Sequence, residues 1–508
     1  MDSLPDLIVR SILDELGDNQ PDQIFDQLCL GLSSKHLFRV YSNRRCNVEV
    51  NNSRWHFKAS SITPGMLPPQ LRSLTLGKHF NQLLAPGTLP SSLTSLEFGK
   101  SFNRIINLNV LPPSLATIYF GLIFNRSIVP GSLPDSLTNI TFGPGFNCQL
   151  QPGMLPPYLL NLQLNGYDKP LEPGTLPSSI TKLELGKQFK QVLQPGSLPK
   201  SLTSINFGGY KSELKNDLLP PSLLSLTMDR YNNPIMPGTL PHGLTYLDLG
   251  AYYDHPFEEG TLPSTIITLK LSKSYSEQLK SSTLPTSLLT LVMGNRYDDR
   301  LSNESLPPLL TSLTLSCSFG GTIDLGDIPC LTDLKFGSDY DEEIDAAVLP
   351  TNLTSLTFGY SFNSHIKGKL PSTLVTLLFG YSFNRALPSR FFPNSLTDLK
   401  FGAKFNRAIK PKTLPESLTS LEFGEFFEKE YLAKAYPGRL HSLSLPKQMW
   451  DSIPPSVQVL RFQLAQNKKT SINHVLCLVQ YTGDHAQNTY FKYLDLSNQL
   501  SSDESEAE

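Results

Sequence analysis

The sequence predicts a repeat solenoid of short parallel β-strands, one per repeat, with a back of 3₁₀ or extended segments and a small α-helical segment at the N-terminus. Three observations predict it. A Leu-Pro pair returns every 21 or 22 residues, eighteen times, from Leu67-Pro68 through Leu89-Pro90, Leu111-Pro112 and Leu133-Pro134 to Leu414-Pro415 and Tyr436-Pro437, with Ile328-Pro329 and Phe392-Pro393 as variants. Apolar residues spaced as Leu93, Leu96 and Phe98 follow the pair. A glycine then closes most turns, as at Gly77, Gly99, Gly121 and Gly143. A short period sustained over most of a chain marks an architecture in which each unit buries its face only against its neighbours.

Residues 1–50 carry a different pattern. Leu4, Ile8, Ile12 and Leu16 share one helical face, broadened by Leu7 and Leu13. After the loop Gly17–Pro21 a second apolar stretch contains Leu28, Leu30, Leu32, Leu37 and Phe38. The opening Leu4-Pro5-x-x-Ile8 with Ile12-Leu13 resembles an F-box, although Asp22–Gln27 is longer than that pattern usually allows. The resemblance implies docking to the adaptor of a cullin ubiquitin ligase through Leu4, Pro5, Ile8, Ile12, Leu28 and Leu32. In the other reading these helices cap the first turn of the solenoid.

The repeats are expected over residues 51–464, about eighteen turns and a shortened last one. In Leu89-Pro-Ser-Ser-Leu93-Thr-Ser-Leu96-Glu-Phe98-Gly99 the alternation sends Leu96 and Phe98 inward and Glu97 outward. The Leu93, Leu96, Phe98 spacing resembles the core of leucine-rich repeats, so the fold is expected to be leucine-rich-repeat-like. Glycine after the second inward residue, replaced by Asn165 and Asp229 in two turns, predicts a left-handed or otherwise tight corner that ends the strand. An aromatic-polar pair follows, plain at Phe80-Asn81, Phe102-Asn103 and Phe405-Asn406 and softened to Tyr167-Asp168 or Tyr253-Asp254. These predict a second apolar column and buried Asn side chains bonded to the neighbouring backbone. Pro64-Gly65, Pro86-Gly87, Pro130-Gly131 and Pro152-Gly153 suit type II turns. The string from Pro-Gly through Leu-Pro to Phe-Gly and Phe-Asn resembles the FNIP repeat, a relative of leucine-rich repeats, over about residues 61–446. The Phe-Asn pair is lost between about 206 and 335. That resemblance implies protein binding and supplies no catalytic residue.

The outward positions define a two-column ribbon, expected on the inner curve. One column is mostly small and polar (Ser73, Ser95, Thr117, Asn139), and the other varies. Candidate partner contacts on the ribbon are Glu97, Tyr119, Glu184, Tyr246, Asp248, Lys270, Val292, Lys335, Leu378 and Lys400, because interface energy concentrates in a few large side chains. The second column is acidic through Asp248 and basic from Lys270 to Lys400. That order predicts opposite potentials at its two ends, unless same-strand pairs such as Lys182/Glu184, Asp333/Lys335 and Asp398/Lys400 neutralise themselves.

Beyond the repeats, Val457, Leu460 and Phe462 repeat the core spacing after a shortened loop. Residues 465–498 are expected to form a C-terminal cap and residues 499–508 an acidic disordered tail, with Ser501, Ser502 and Ser505 open to phosphorylation.

The totals exclude several classes. A formal net charge of −2 gives no general pull toward nucleic acid or an acidic membrane. The 41 prolines track the repeat, so they report turns. Six scattered cysteines support neither a disulfide framework nor a metal site. No basic leader precedes an apolar run, and no run approaches a membrane span of roughly 18 apolar residues. A cytoplasmic or nuclear protein is expected. Walker, GxSxG and HExxH motifs are missing, so no enzyme and no cofactor is expected, and partners are expected to be proteins.

Overall fold

The computed structural model describes residues 54–57, 62–428 apart from 303 and 327, 436–446, 457, 459–463, 475–481 and 490–495. The helical segment expected over residues 1–50 and the tail over 499–508 lie outside the described residues.

Two compact units divide the chain, Met1–Tyr231 and Asn232–Glu508. In the first, the strands are Arg54–Phe57, Ser73–Leu76, Ser95–Glu97, Thr117–Tyr119, Asn139–Phe142, Asn161–Leu164, Lys182–Leu185, Ser204–Asn206 and Ser225–Thr227. Each pairs in parallel with the next. In the second, the parallel ladder runs through Tyr246–Asp248, Thr268–Lys270, Thr290–Val292, Ser312–Thr314, Asp333–Lys335, Ser355–Thr357, Thr376–Leu378, Asp398–Lys400, Ser420–Glu422, Ser442–Pro446 and Val459–Gln463. Leu443 pairs with Leu460 and Leu445 with Phe462. Val475–Tyr481 and Tyr490–Asp495 then add two antiparallel pairings. The strand Arg54–Phe57 was harder to read: Trp55 and Phe57 keep the repeat's apolar spacing and pair with Leu74 and Leu76, but no Leu-Pro pair precedes them.

The return segments are tight turns joined mostly by chain outside regular secondary structure. Among the described residues the one 3₁₀ turn is Ala346–Val348, where the Asp345 carboxylate accepts from the Ala347 N–H at 3.0 Å. Beside it, Ile344–Asp345 and Ile366–Lys367 form a small parallel pair. Pro64-Gly65 and its equivalents make the expected type II turns: Gly65 and Gly87 have φ of 81° and 79°, and Met66 N–H donates to Thr63 O at 3.2 Å.

The core consists of columns. Leu93, Leu96 and Phe98 are buried, with their equivalents above and below. Phe98 stacks on Phe102 of its own turn at 3.8 Å between ring centroids, and Phe102 faces Phe124 of the next turn at 6.0 Å. Repetition of that pairing gives a double aromatic stack, favoured by apolar burial and by offset ring quadrupoles. Where tyrosine replaces the outer phenylalanine, the hydroxyl finds backbone partners in some turns, whereas the buried Tyr275 Oη has none among the described residues. Tyr167 Oη accepts from Leu150 N–H at 3.3 Å and donates to Pro170 O at 3.2 Å, and Tyr231 Oη accepts from Leu214 N–H at 3.3 Å.

Two polar ladders run beside this core. Asn81 Oδ1 accepts from Asn103 N–H at 2.9 Å, Asn103 from Asn125 at 3.0 Å and Asn125 from Asn147 at 3.0 Å. Asp168 takes the same role toward Lys190 N–H at 2.8 Å, which explains why Asp substitutes for Asn. The expectation of buried asparagines is corrected: Asn103 is half-buried, while Asn81 and Asn125 are exposed. The second ladder was not anticipated. Ser114 Oγ donates to Leu93 O and Ser136 Oγ to Leu115 O, both at 2.7 Å, satisfying carbonyls at the bend before each strand.

Of the two reasons expected for the corner glycines, the structure shows the tight corner throughout and the left-handed one rarely. Among the described corner glycines only Gly208 and Gly250 have positive φ, and in each the N–H is held by the side chain of Asn206 or Asp248. The requirement is room. A Cβ on Gly121 would lie 1.9 Å from Gly99 O, and one on Gly380 would lie 1.7 Å from Gly359 O. At two corners serine enters: Ser316 Oγ donates to Tyr297 O at 2.6 Å, and Ser272 Oγ donates to Tyr253 O.

These contacts set two expected outcomes. Gly121→Ala forces a backbone clash and is expected to cost about 3 kcal/mol or more, whereas Gly87→Ala meets no atom within 4 Å and costs only the left-handed backbone penalty of about 1–2 kcal/mol. Urea unfolding of both variants checks the order, and equal losses would contradict it. Burial pushes the phenols of Tyr167, Tyr231, Tyr297 and Tyr340 up to about 12. An unfolded tyrosine ionises near 10, so between about pH 10 and 12 the unfolded chain has released protons that the native chain keeps. Stability from these residues is therefore complete below about pH 10 and lost toward about pH 12. Phenolate absorbance followed with far-ultraviolet dichroism should show these phenols ionising only as the fold is lost.

Candidate recognition ribbon

Because side chains alternate along each strand, the buried Leu96 leaves Ser95 and Glu97 half-exposed on the opposite face. The parallel register then aligns these positions into columns, pairing Thr75 with Glu97, Glu97 with Tyr119, and Tyr119 with Thr141. In the first unit the column is knitted by its own hydrogen bonds. Thr75 Oγ1 donates to Glu97 at 3.2 Å, Thr141 Oγ1 to Gln163 at 3.0 Å, and Gln163 Nε2 to Glu184 at 3.0 Å. Tyr119 stands out of this network, 43% exposed.

In the second unit the strands bring Tyr246, Asp248 and Lys270 into one cluster. Lys270 Nζ lies 3.7 Å from Asp248 Oδ2 and 5.5 Å from the centre of the Tyr246 ring, while Tyr246 Oη donates to Asp248 at 3.2 Å. The Tyr246 hydroxyl, followed by the Asp248 carboxylate, holds the Lys270 ammonium pKa above its usual value. Val292 pairs in register with Lys270, and Leu378 with Lys400, so half-buried apolar residues alternate with charges. Lys335 meets Asp333 at 3.6 Å. Lys400 meets Glu422 of the next strand at 2.9 Å, and Asp398 instead accepts from Thr397 Oγ1 at 2.6 Å. Lys270, Lys335 and Lys400 each have a carboxylate at ion-pair distance, so the expected run of uncompensated positive charge is replaced by local pairs.

Sequence reasoning missed the edge next to the ribbon. In the first unit the corners form a trough of about 450 Å³, floored by Gly99, Gly121 and Gly143, with Glu97 and Tyr119 on one side and Lys100 and Leu122 on the other. In the second unit the residue after the corner is Tyr360 in one turn and Tyr381 in the next, stacked at 4.6 Å, with Lys404 Nζ 5.4 Å from the Tyr381 ring. Tyr360 is 56% exposed. The available signal was that the residue after the corner glycine changes from turn to turn, as Lys78, Lys100, Leu122 and Pro144, while the glycine itself is kept.

The candidate adaptor contacts Leu4, Pro5, Ile8, Ile12, Leu28 and Leu32 lie outside the described residues. Among the described residues, no three His, Cys, Asp or Glu side chains converge as metal ligands, and no helix is long and apolar enough to cross a membrane. The ribbon and its trough therefore offer shape, hydrogen bonds and paired charge to a partner.

Comparison with known proteins agrees with this geometry. No curated protein matches the chain. Among solved structures, the crystal structure of CroV588, described as a novel circular LRR protein, is similar over 81% of this chain and 69% of its own, with 31% sequence identity and a TM-score of 0.63. The family described as FNIP Repeat matches successive, partly overlapping segments, beginning with residues 59–101 and 80–122 and ending with 340–382 and 383–426. The chain belongs to the FNIP repeat family.

Proposed function

We propose that this chain is a non-enzymatic, protein-binding repeat protein whose ribbon captures a polypeptide, and that it serves as a substrate receptor of a cullin-type ubiquitin ligase. One observation carries the binding role. An outward face whose backbone positions are fixed by the ladder presents Tyr119, Tyr246, Val292 and Leu378 among paired charges. Aromatic and apolar anchors within a polar field are the composition of recognition surfaces. With strands about 4.8 Å apart, even four turns offer a strip of roughly 15–20 Å, matched to an extended or folded polypeptide better than to a small molecule. The ligase role rests on the F-box-like opening Leu4-Pro5 with Ile8 and Ile12. Such a receptor acts by proximity, holding a target where other subunits do the chemistry.

Affinity capture with mass spectrometry tests both parts. Recovery of a cullin and its adaptor, lost when Leu4 and Pro5 become Ala, supports the ligase role, and recovery of neither overturns it. Substituting Tyr119, Tyr246 and Leu378 by Ala should lower target recovery about tenfold or more, at a stability cost of about 1 kcal/mol or less per site. The competing scaffold reading makes the N-terminal segment only a cap. It requires that deletion of residues 1–45 exposes the core, lowers the melting temperature and causes aggregation, while the captured partners stay the same.

A further inference from the structure

The type II turns of the return edge contain a cationic exception. Glycine supplies the left-handed residue of this turn at Gly238, Gly260 and Gly368 in the second unit, with φ of 79–81°. In the next two turns the same register position holds Arg390, with φ 59°, and Lys412, with φ 65°. A side chain disfavours that conformation, and glycine serves it one turn earlier. Lys369 follows Gly368 directly, and Lys410 lies two residues before Lys412. Lys369, Arg390, Lys410 and Lys412 are all exposed, and none forms an ion pair among the described residues. By contrast, Lys367 on the same edge pairs with Glu343. Three successive turns thus carry cations unpaired among the described residues on one edge, whereas an earlier turn of this edge carries Glu258-Glu259.

We infer that the acidic segment Ser501–Glu508 of this same chain docks on the edge formed by Lys369, Arg390, Lys410 and Lys412. Its charge is complementary: Asp503, Glu504, Glu506 and Glu508 place four carboxylates within six residues. Its tether is long enough. Thirteen residues, 496–508, follow Asp495, the last described residue, and at about 3.3 Å each they span up to roughly 43 Å. From Tyr490–Asp495 the ladder takes four steps back to Ser420–Glu422, the strand after Lys410 and Lys412, and six back to Thr376–Leu378, the strand after Lys369, about 19 and 29 Å at the usual strand spacing. Exposed pairs of this kind are held by several charges together and are screened by salt. Phosphate on Ser501, Ser502 or Ser505 would add about −1.5 to −2 charge each and tighten the contact.

Zero-length carbodiimide cross-linking of the full chain at low ionic strength, read by peptide mass spectrometry, tests this. The expected result is amide links from Lys369, Lys410 and Lys412 to the carboxylates of residues 503–508. Their yield should fall about fivefold or more in about 0.5 M salt. It should fall likewise in the variant Lys410→Glu/Lys412→Glu and in the tail variant Asp503→Asn/Glu504→Gln, which leaves the edge untouched. No tail links to these lysines, or yields unchanged in both variants, would overturn the inference. Links joining isotopically labelled to unlabelled chains would assign the contact to a second copy and overturn docking within one chain. Retention on duplex RNA that only Lys410→Glu/Lys412→Glu loses, without tail links, would assign the edge to nucleic acid instead.

Discussion

The stacking of one turn's corner on the carbonyl of the turn before governs the rest of this structure. At Gly121 and Gly380 that carbonyl stands within 2.0 Å of where a Cβ would be, so these corners need a residue that carries none, while other corners admit a small hydroxyl turned inward or, at Asn165 and Asp229, a polar side chain. Ser272 and Ser316 take the second solution, each donating to the carbonyl of a tyrosine in the preceding turn. Close approach at the corner lets the strands hold a regular ladder, and the ladder sets the repeat of every other column. A turn of 21 residues instead of 22 is absorbed without loss of register, as between Asn161 and Lys182, which still pair directly.

Inside that frame each column has one physical task. The Leu and Phe columns remove apolar surface from water, and the paired rings make the stack continuous across turns. The Asn/Asp ladder and the serine ladder satisfy backbone groups that the short strands leave unpaired. Tyr167 and Tyr231 do both at once, each burying a ring and bonding the neighbouring turn's N–H. With the interior fully assigned, the outward columns are free to vary, and the paired ions among them contribute little stability. Variation on that face therefore reflects what the surface meets more than what the fold needs.

Much of this was legible in the sequence because the repeat displays its own tolerances. The inward positions Leu96 and Phe98, the outward position of Glu97 and the turn at Pro86-Gly87 followed from alternation and turn chemistry. The corner glycines were recognised, but which of two reasons demands them was not legible, because preference for glycine looks alike whether φ is positive or a neighbour leaves no space. Spacing could place Asn103 beside the core yet not tell a half-buried rim from the interior. The partner of Lys400 was also beyond reach. Sequence proximity favoured Asp398, whereas parallel register sets Glu422 beside it. The trough and the Tyr360/Tyr381 stack were missed because they arise only when corners of separate turns come into line.

The central functional claim is that recognition occurs on the ribbon and not on the return edge. Hydroxyl-radical footprinting of the chain, free and with its captured partner, measures this most directly through side-chain reactivity. Tyr119, Tyr246 and Leu378 should lose reactivity on binding, while Ile105 and Met236, exposed on the return side, should keep theirs. Protection of Ile105 or Met236 with the ribbon residues unchanged would contradict the assignment.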